Sequence, residues 1–513
     1  MTLIFNKKIF IYVIPFLLGL FTSFSLPPYN FLIINFITFP ILLMFVIFNF
    51  EKGKWILFQI GWIFGFGYFI SNLYWITNSL TFEEIFKPLI PVTLIIIPLF
   101  LGLFYGFGTL FCSFFKLKKN FSTILIFATI FSLIEFFRGF ILGGFPWNII
   151  AYSWSNYLNS LQILSLIGTY SFNLLSITIF LLPFIIFFNK NSKSKLLSLF
   201  FLLIILVSNH FYGGLLIREN KKVNNIDMDF TIKIISPKIG IKRFLNYEDP
   251  DKTIKELVNL SNPNSSEKTI FVFPEGILTS IYLEDLKNYK KIFSDNYSDN
   301  HTIILGMNSV EKVDGRLKIY NSLVVLDNNA NLLGKYNKNK LVPFGEFLPF
   351  ENFLSKLGLK KITLGYQSFS SGKKRNLITI NNKNFIPLIC YEIIYSGKIK
   401  TIGQNVNFII NISEDGWFGN SIGPDQHFSH SIFRAIEEGK NIIRSANNGI
   451  SAFINPKGEV ISKIKSTEKG VIEVKNFKQS DKTFFNVHGN KIFFYFILVY
   501  IILIFFLKKR KNR

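Results

Sequence analysis

Cysteine is nearly absent. The 513 residues carry only Cys112 and Cys390, which rules out a Cys-x-x-Cys redox or zinc motif. No glycine-rich loop ends in the Lys-Ser/Thr that cradles phosphate, so nucleotide chemistry has no support. Histidine is scarce as well: His210, His301, His427, His430 and His488. His427 and His430 share a helical i, i+3 spacing in "PDQHFSHSIFRA", but no third ligand stands at usable spacing. They read as packing or hydrogen-bonding residues, and neither a metal nor any other cofactor is expected. Acidic residues number 32 against 56 Lys+Arg, and no repeat of fixed period runs through the chain.

Apolar residues are what the chain has in excess. Half of it is hydrophobic and 62 residues are Phe. A bilayer core of ~30 Å needs about 20 apolar residues per helix. Eight stretches approach that length, near 9–25, 30–50, 55–76, 88–115, 122–142, 161–188, 196–216 and 491–507. The first reads as a span rather than a cleaved leader, because no small-residue cleavage site follows and further spans come at once. The expected architecture is a polytopic α-helical membrane domain of eight transmembrane helices. Its parts are 1–216 with seven helices, 217–489 with ordinary globular composition, and 490–513 with a last helix and a basic tail.

The net charge of +24 raises the question of nucleic acid, and its distribution answers it. Residues 217–489 hold 38 basic and 28 acidic side chains, while the rest of the chain holds 18 and 4. Fifteen of those 18 lie in alternate loops: Lys7/Lys8, Lys52/Lys54, Lys116/Lys118/Lys119, Lys190/Lys193/Lys195 and the tail "KKRKNR". This is the positive-inside pattern. It makes both termini cytoplasmic and puts 217–489 outside, so the basic excess orients helices and no nucleic-acid partner is expected. Exported cysteines usually come in pairs, yet Cys112 lies in the fourth span and cannot reach Cys390. The lone exported thiol is either a buried core residue or a nucleophile, and position alone leaves both open.

Within 217–489, short β-rich runs recur at 230–236, 269–275, 302–308, 321–327, 384–390, 407–413 and 449–455. Helical or polar segments separate most of them, the signature of an α/β domain whose sheets are covered on at least one face. "DNNANLLGKYNKNK" reads as a turn between strands and then a polar loop, and "DQHFSHSIFRAIEEGKNIIRSA" as helical or polar. Glu275 ends "FVFPE", Cys390 ends "IPLIC" and Lys338 lies in "KYNKNKLVPFGEFLP". Functional groups gather at such strand ends because the strand fixes them while the following loop stays open. A free thiol with a pKa of ~8.5 is mostly protonated at neutral pH. A carboxylate can take its proton, and an ammonium can hold an oxyanion. Glu, Lys and Cys thus make a complete acyl-transfer set, although each alone has a plain structural reading as cap, solvated cation or core residue.

Taken together, "FVFPEG", "KYNKNKLVPFGEFLPF", "PLICYEIIY", "NISEDGWFGNSIGPDQHFSHSIFRAIEEGKNIIRSANNGISAFINPKG" and the membrane stretch "RGFILGGFPWN" resemble one family, the apolipoprotein N-acyltransferases. These are membrane relatives of the nitrilase-type carbon–nitrogen hydrolases. The resemblance covers nearly the whole chain. It implies an αββα sandwich for the outer domain, with Glu275 as base, Lys338 rather than Lys335 or Lys340 as the lysine, and Cys390 as nucleophile. Glu346, Tyr391, Glu392, Trp417 and Phe418 match supporting or substrate-binding positions. It further implies transfer of an acyl chain from a phospholipid donor to the N-terminal α-amino group of a diacylated apolipoprotein, through a Cys thioester. The enzyme would be a monomer in the bacterial inner membrane with a periplasmic catalytic domain. One stretch departs from the family pattern: "SPKIGIKRF" has Phe244 where the family has Trp, with no preceding Gln or Asn, which puts any role of that loop in doubt. Two rival readings are a membrane-anchored amidase, for which one anchor would suffice, and a transporter. A transporter would need ionisable groups in its spans, where Glu135 and Arg138, one helical turn apart, are the main ones.

Overall fold

The computed structural model describes residues 8–188, 192–223, 225–349, 356, 368–399, 405–478 and 481–509. Lys7, Lys190 and the end of the basic tail (510–513) lie outside the described residues. The chain divides into two compact units, Met1–Glu219 with Ser396–Lys398 and Lys482–Arg513, and Asn220–Tyr395 with Ile399–Asp481.

The first unit is helical. Six helices are long and apolar enough to cross a membrane: Lys54–Thr81, Glu84–Cys112, Phe121–Arg138, Leu164–Phe187, Lys195–Lys222 and Lys491–Lys509. The apolar helices Ile9–Ser23 and Leu32–Phe48 are shorter. Among the described residues, then, six helices rather than the expected eight meet the length of a span. Glu135 and Arg138 are both buried and approach at 3.8 Å. The Glu135 carboxylate accepts from Tyr105 Oη at 2.7 Å and Asn173 Nδ2 at 2.5 Å. Arg138 donates to the carbonyls of Phe145 and Asn148. Its two charges therefore bond inward, as buried polar groups must.

The second unit has strands β1 (Asn225–Ser236), β2 (Thr269–Val272), β3 (Leu278–Tyr282), β4 (His301–Val313), β5 (Arg316–Leu326), β6 (Leu332–Asn337) and β7 (Ile378–Ile380). These are followed by β8 (Lys383–Ile389), β9 (Phe408–Glu414), β10 (Asn441–Asn447), β11 (Ser451–Ile454), β12 (Val460–Ile464) and β13 (Gly470–Lys478). One sheet runs β13-β1-β2-β4-β5-β6 with β3 beside β4, the other β12-β11-β10-β9-β8-β7. The centre of each is parallel: β1, β2 and β4 in one, β8, β9 and β10 in the other.

Side chains alternate across a strand, and that alternation builds three layers of packing from the apolar runs. Ile232 and Ile234 of β1, Ile304 of β4 and Leu323 of β5 join Phe385, Ile389, Ile410 and Ile443 in a core between the sheets. Ile303, Leu305, Val324 and Leu326 point the other way, against helices Pro250–Ser261 and Lys290–Asn296. Helix Gly423–Glu438 packs on β10 and β11. The unit is thus a nitrilase-like αββα sandwich, and the seven β-rich runs read from the sequence all fall on strands. After the turn at 327–331, residues 332–337 form β6, paired with β5, in keeping with a turn between strands. One reading is corrected: residues 441–447 form β10, central to its sheet, rather than part of a helical or polar segment.

Candidate active site

Parallel strands end on one side of a sheet, and the chemistry-bearing side chains lie just beyond those ends. Glu275 stands three residues after β2 in a turn pressed against β4. A Cβ on Gly306 of β4 would lie 2.4 Å from Glu275 Cα, so only glycine allows the approach. The amide of Gly306 donates to Pro274 O at 3.0 Å, and that of Ile277 to Gly306 O at 2.9 Å, locking the turn.

Lys338 follows β6 and is fully buried. Its Nζ lies 3.0 Å from Glu275 Oε1 and 2.9 Å from Glu346 Oε1. Asn321 Nδ2 donates to the same two carboxylates at 2.7 and 2.8 Å. Glu275 Oε2 accepts the Glu414 amide at 2.9 Å. Burial pushes Lys338 down, but Glu275 and Glu346 outweigh it and raise it well above the usual lysine range, which favours the charged ammonium.

Cys390 closes β8 at a left-handed turn, φ +49°, where an L residue is strained by roughly 1–3 kcal/mol. A short 3₁₀ turn, Cys390–Ile394, follows. Burial pushes the Cys390 thiol up, Glu275 pushes it further, and Lys338 pulls it partly back; the balance lies well above the ordinary thiol value. This strengthens the reading based on a free thiol: burial favours the protonated form still further.

Glu392 has a different task from its neighbours. It is buried, and its Oε1 accepts from Tyr336 Oη at 2.6 Å and from the amides of Asn339 and Lys340 at 3.1 and 3.2 Å. Its Oε2 accepts the Ile389 amide at 3.0 Å, and Arg375 Nη2 lies 3.1 Å from Oε1. Residues on both sides of Lys338 are thereby tied to the turn that carries Cys390. Tyr391 is buried edge-on to Tyr395, ring centroids 5.4 Å apart. Trp417 and Phe418 are half-buried, the first 5.1 Å from the Phe244 ring and the second 5.6 Å from His427.

His427 lies closer to Cys390 than its sequence position suggested. One ligand atom each of Cys390, Asp415 and His427 fall within 4.8 Å of one another. His427 Nδ1 is 2.8 Å from Asp415 Oδ1, and Arg444 Nη2 is 2.8 Å from Asp415 Oδ2. Burial pushes Asp415 up, but Arg444 and His427 overcome it and bring it down to about 2. Burial also lowers His427, leaving the imidazole neutral. The guanidinium of Arg444 thus pairs with this carboxylate. A Gly-x-Ser-x-Gly string at 419–423 is no nucleophile elbow: Ser421 Oγ donates to Phe418 O at 2.8 Å, and a 3₁₀ turn precedes it, not a strand.

Sequence reasoning missed Asn321, Arg243, Glu414 and Asp415. Asn321 opens a run read only for its apolar residues. Glu414 and Asp415 sit in the quoted "NISEDGWFGN" without a role.

The two-sheet sandwich is that of a carbon–nitrogen hydrolase: residues 246–475 match the family described as Carbon-nitrogen hydrolase. Residues 18–182 match the Apolipoprotein N-acyltransferase N-terminal domain. The Apolipoprotein N-acyltransferase of Agrobacterium fabrum is 31% identical over 503 residues, which span 95% of this chain and 94% of that one. That of Brucella melitensis is 29% identical over 473 residues, 89% of this chain and 88% of its own. The chain belongs to the apolipoprotein N-acyltransferase family. Among solved structures, a carbon–nitrogen hydrolase superfamily protein from Xanthomonas campestris is similar over 48% of this chain and 90% of its own, at 12% identity and a TM-score of 0.35.

Proposed function

We propose that this chain N-acylates lipoproteins, taking the acyl group from a phospholipid and carrying it on Cys390. The observation that supports this reading best is the convergence of a buried carboxylate, a lysine whose charged form is favoured and a strained, buried thiol. In the first step Cys390 Sγ attacks the ester carbonyl while Glu275 takes the thiol proton. Lys338, with the main-chain N–H after Cys390, holds the oxyanion. The C–O bond then breaks, the lysophospholipid leaves with the proton from Glu275, and a thioester remains. In the second step the α-amino group of S-diacylglyceryl-cysteine attacks that thioester. Glu275 takes the amine proton and returns it to the departing sulfur, giving an amide and free Cys390. One carboxylate serves as base and acid in both steps because each releases the proton it takes up.

Glu346 would hold Lys338 in place, Glu392 the nucleophile turn, and Tyr391, Trp417 and Phe418 the substrates. The domain division is 1–216, 217–489 and 490–513, the setting an inner membrane with both termini cytoplasmic and the catalytic domain periplasmic. A reporter fused after Arg513 should then read cytoplasmic, and one inserted near Asn296 periplasmic; the reverse would overturn the orientation. The chemistry is tested by incubating purified protein with a phospholipid labelled in its acyl chain. Label should appear on the Cys390 peptide, be released by hydroxylamine, and pass to a diacylated lipopeptide with a free amine but not to its N-acetylated form. Label held elsewhere, or lost only to water, would contradict the proposal.

A further inference from the structure

The stretch "SPKIGIKRF", where the chain departs from its family's pattern, carries in Arg243 a buried cation that grips the turn of Glu275. Arg243 is buried in the 3₁₀ turn Ile241–Phe244. Its Nε donates to Gly276 O at 2.9 Å and its Nη1 to Gly240 O at 3.1 Å. Its Nη2 is ion-paired with Glu414 Oε2. Glu414 is held from its other sides by Asn447 Nδ2 on Oε2 at 2.7 Å and the Gly416 amide on Oε1 at 2.7 Å. The amide of the same Glu414 donates to Glu275 Oε2 at 2.9 Å. One guanidinium thus holds both the carbonyl next to Glu275 and the residue whose N–H fixes one of its carboxylate oxygens. The backbone of Arg243 is anchored in turn by Thr279 Oγ1 on its carbonyl at 2.7 Å. Phe244 closes over Gly276, at φ +54°, where a Cβ would come 2.7 Å from the ring.

We propose that Arg243, through its ion pair with Glu414, is a positioning residue for Glu275. The inference rests on the assignment of Glu275 as the base. Both oxygens of that carboxylate are already committed, Oε1 to Lys338 and Asn321 and Oε2 to the Glu414 amide. The lone pair left to meet the thiol proton is therefore set by the carboxylate's rotation, which the Glu414 amide fixes. Only a planar fork can bond Gly276, Gly240 and Glu414 at once; a lysine reaches one of them. An error of about 1 Å at a reacting group costs up to roughly 10²-fold in rate, the scale on which this brace acts.

The test uses the full-length protein in detergent, with Cys112→Ser as background so that Cys390 is the one thiol. Two rates are read: alkylation of Cys390 by iodoacetamide, and single-turnover thioester formation from phospholipid. Arg243→Lys and Glu414→Gln should each lower both by roughly 10–100-fold, the cost of a misplaced group, with the phospholipid KM unchanged. In a Glu275→Gln background the same changes should cost nothing further, because their effect passes through a base no longer present. Equal losses in both backgrounds, no loss in either, or failure of both variants to fold would overturn the proposal in favour of a purely structural pair. If Glu275→Gln itself alkylated as fast as its parent, the base assignment would fail instead, a result distinguishable from the other three.

Discussion

The two units bury charge on different scales. Among the described residues of the helical unit, the only buried acidic or basic side chains are Glu135 and Arg138, and their bonds go to neighbouring helices and one loop. The α/β unit buries Lys338, Glu275, Glu392, Glu414, Asp415, Arg243, Arg434 and Arg444 among others, and most of these crowd the strand ends around Cys390. Its buried ions stand in contact with one another: Lys338 lies between two carboxylates, Asp415 beside Arg444, and Glu414 beside Arg243. An ion in an apolar interior is costly unless paired, so a membrane unit keeps few. A catalytic unit keeps them where they stabilise developing charge.

The comparison breaks first at the cysteines, one in each unit and both buried. Cys390→Ser should abolish thioester formation, while Cys112→Ser should leave it near wild type; a dead Cys112 variant would place the chemistry in the wrong unit. Lys338→Ala comes next. Losing one oxyanion donor costs about 10²–10³ in rate, and raising the pH should not restore it. Two carboxylates hold Lys338 above the usual lysine range, so in the wild type its contribution is fully present below that range and fades only as pH rises beyond it. Recovery of Lys338→Ala in mild base would show that the ammonium acts on the thiol rather than on the intermediate. The smallest effect should come from Glu135→Gln. Its amide group must face Tyr105 or Asn173, both donors, leaving a buried donor unmatched at about 1–3 kcal/mol. The melting temperature should fall while the thioester rate per folded molecule holds; a rate loss without a stability loss would mean the helical unit takes part in the chemistry.

Residues that announce themselves locally were legible. Strands buried on both faces read as apolar runs, which is why β1, β4, β8 and β9 could be seen, and Glu275, Lys338 and Cys390 stand in recognisable strings. What failed depends on pairing between distant segments. β10 reads "NIIRSAN", a central strand that buries Arg444 and Asn447 because Asp415 and Glu414 receive them. Asn321 and Arg243 acquire a role only once β5 and the 241–244 turn lie beside Glu275. At two of the spans expected from hydropathy the described apolar helices run only Ile9–Ser23 and Leu32–Phe48.

The central claim is that a carboxylate draws the proton from a buried thiol during attack. Its most direct test is single-turnover thioester formation by Glu275→Gln as a function of pH. The account predicts a loss of roughly 10²–10⁴-fold at neutral pH, the usual worth of a general base. A free thiol of pKa ~8.5 would regain much of its rate by pH 9; in this variant the Glu275 charge no longer raises Cys390, but burial, the larger cause, still does. Recovery should therefore be slight at pH 9 and grow only in stronger base. A variant as fast as wild type at neutral pH, or one fully restored by pH 9, would contradict the account.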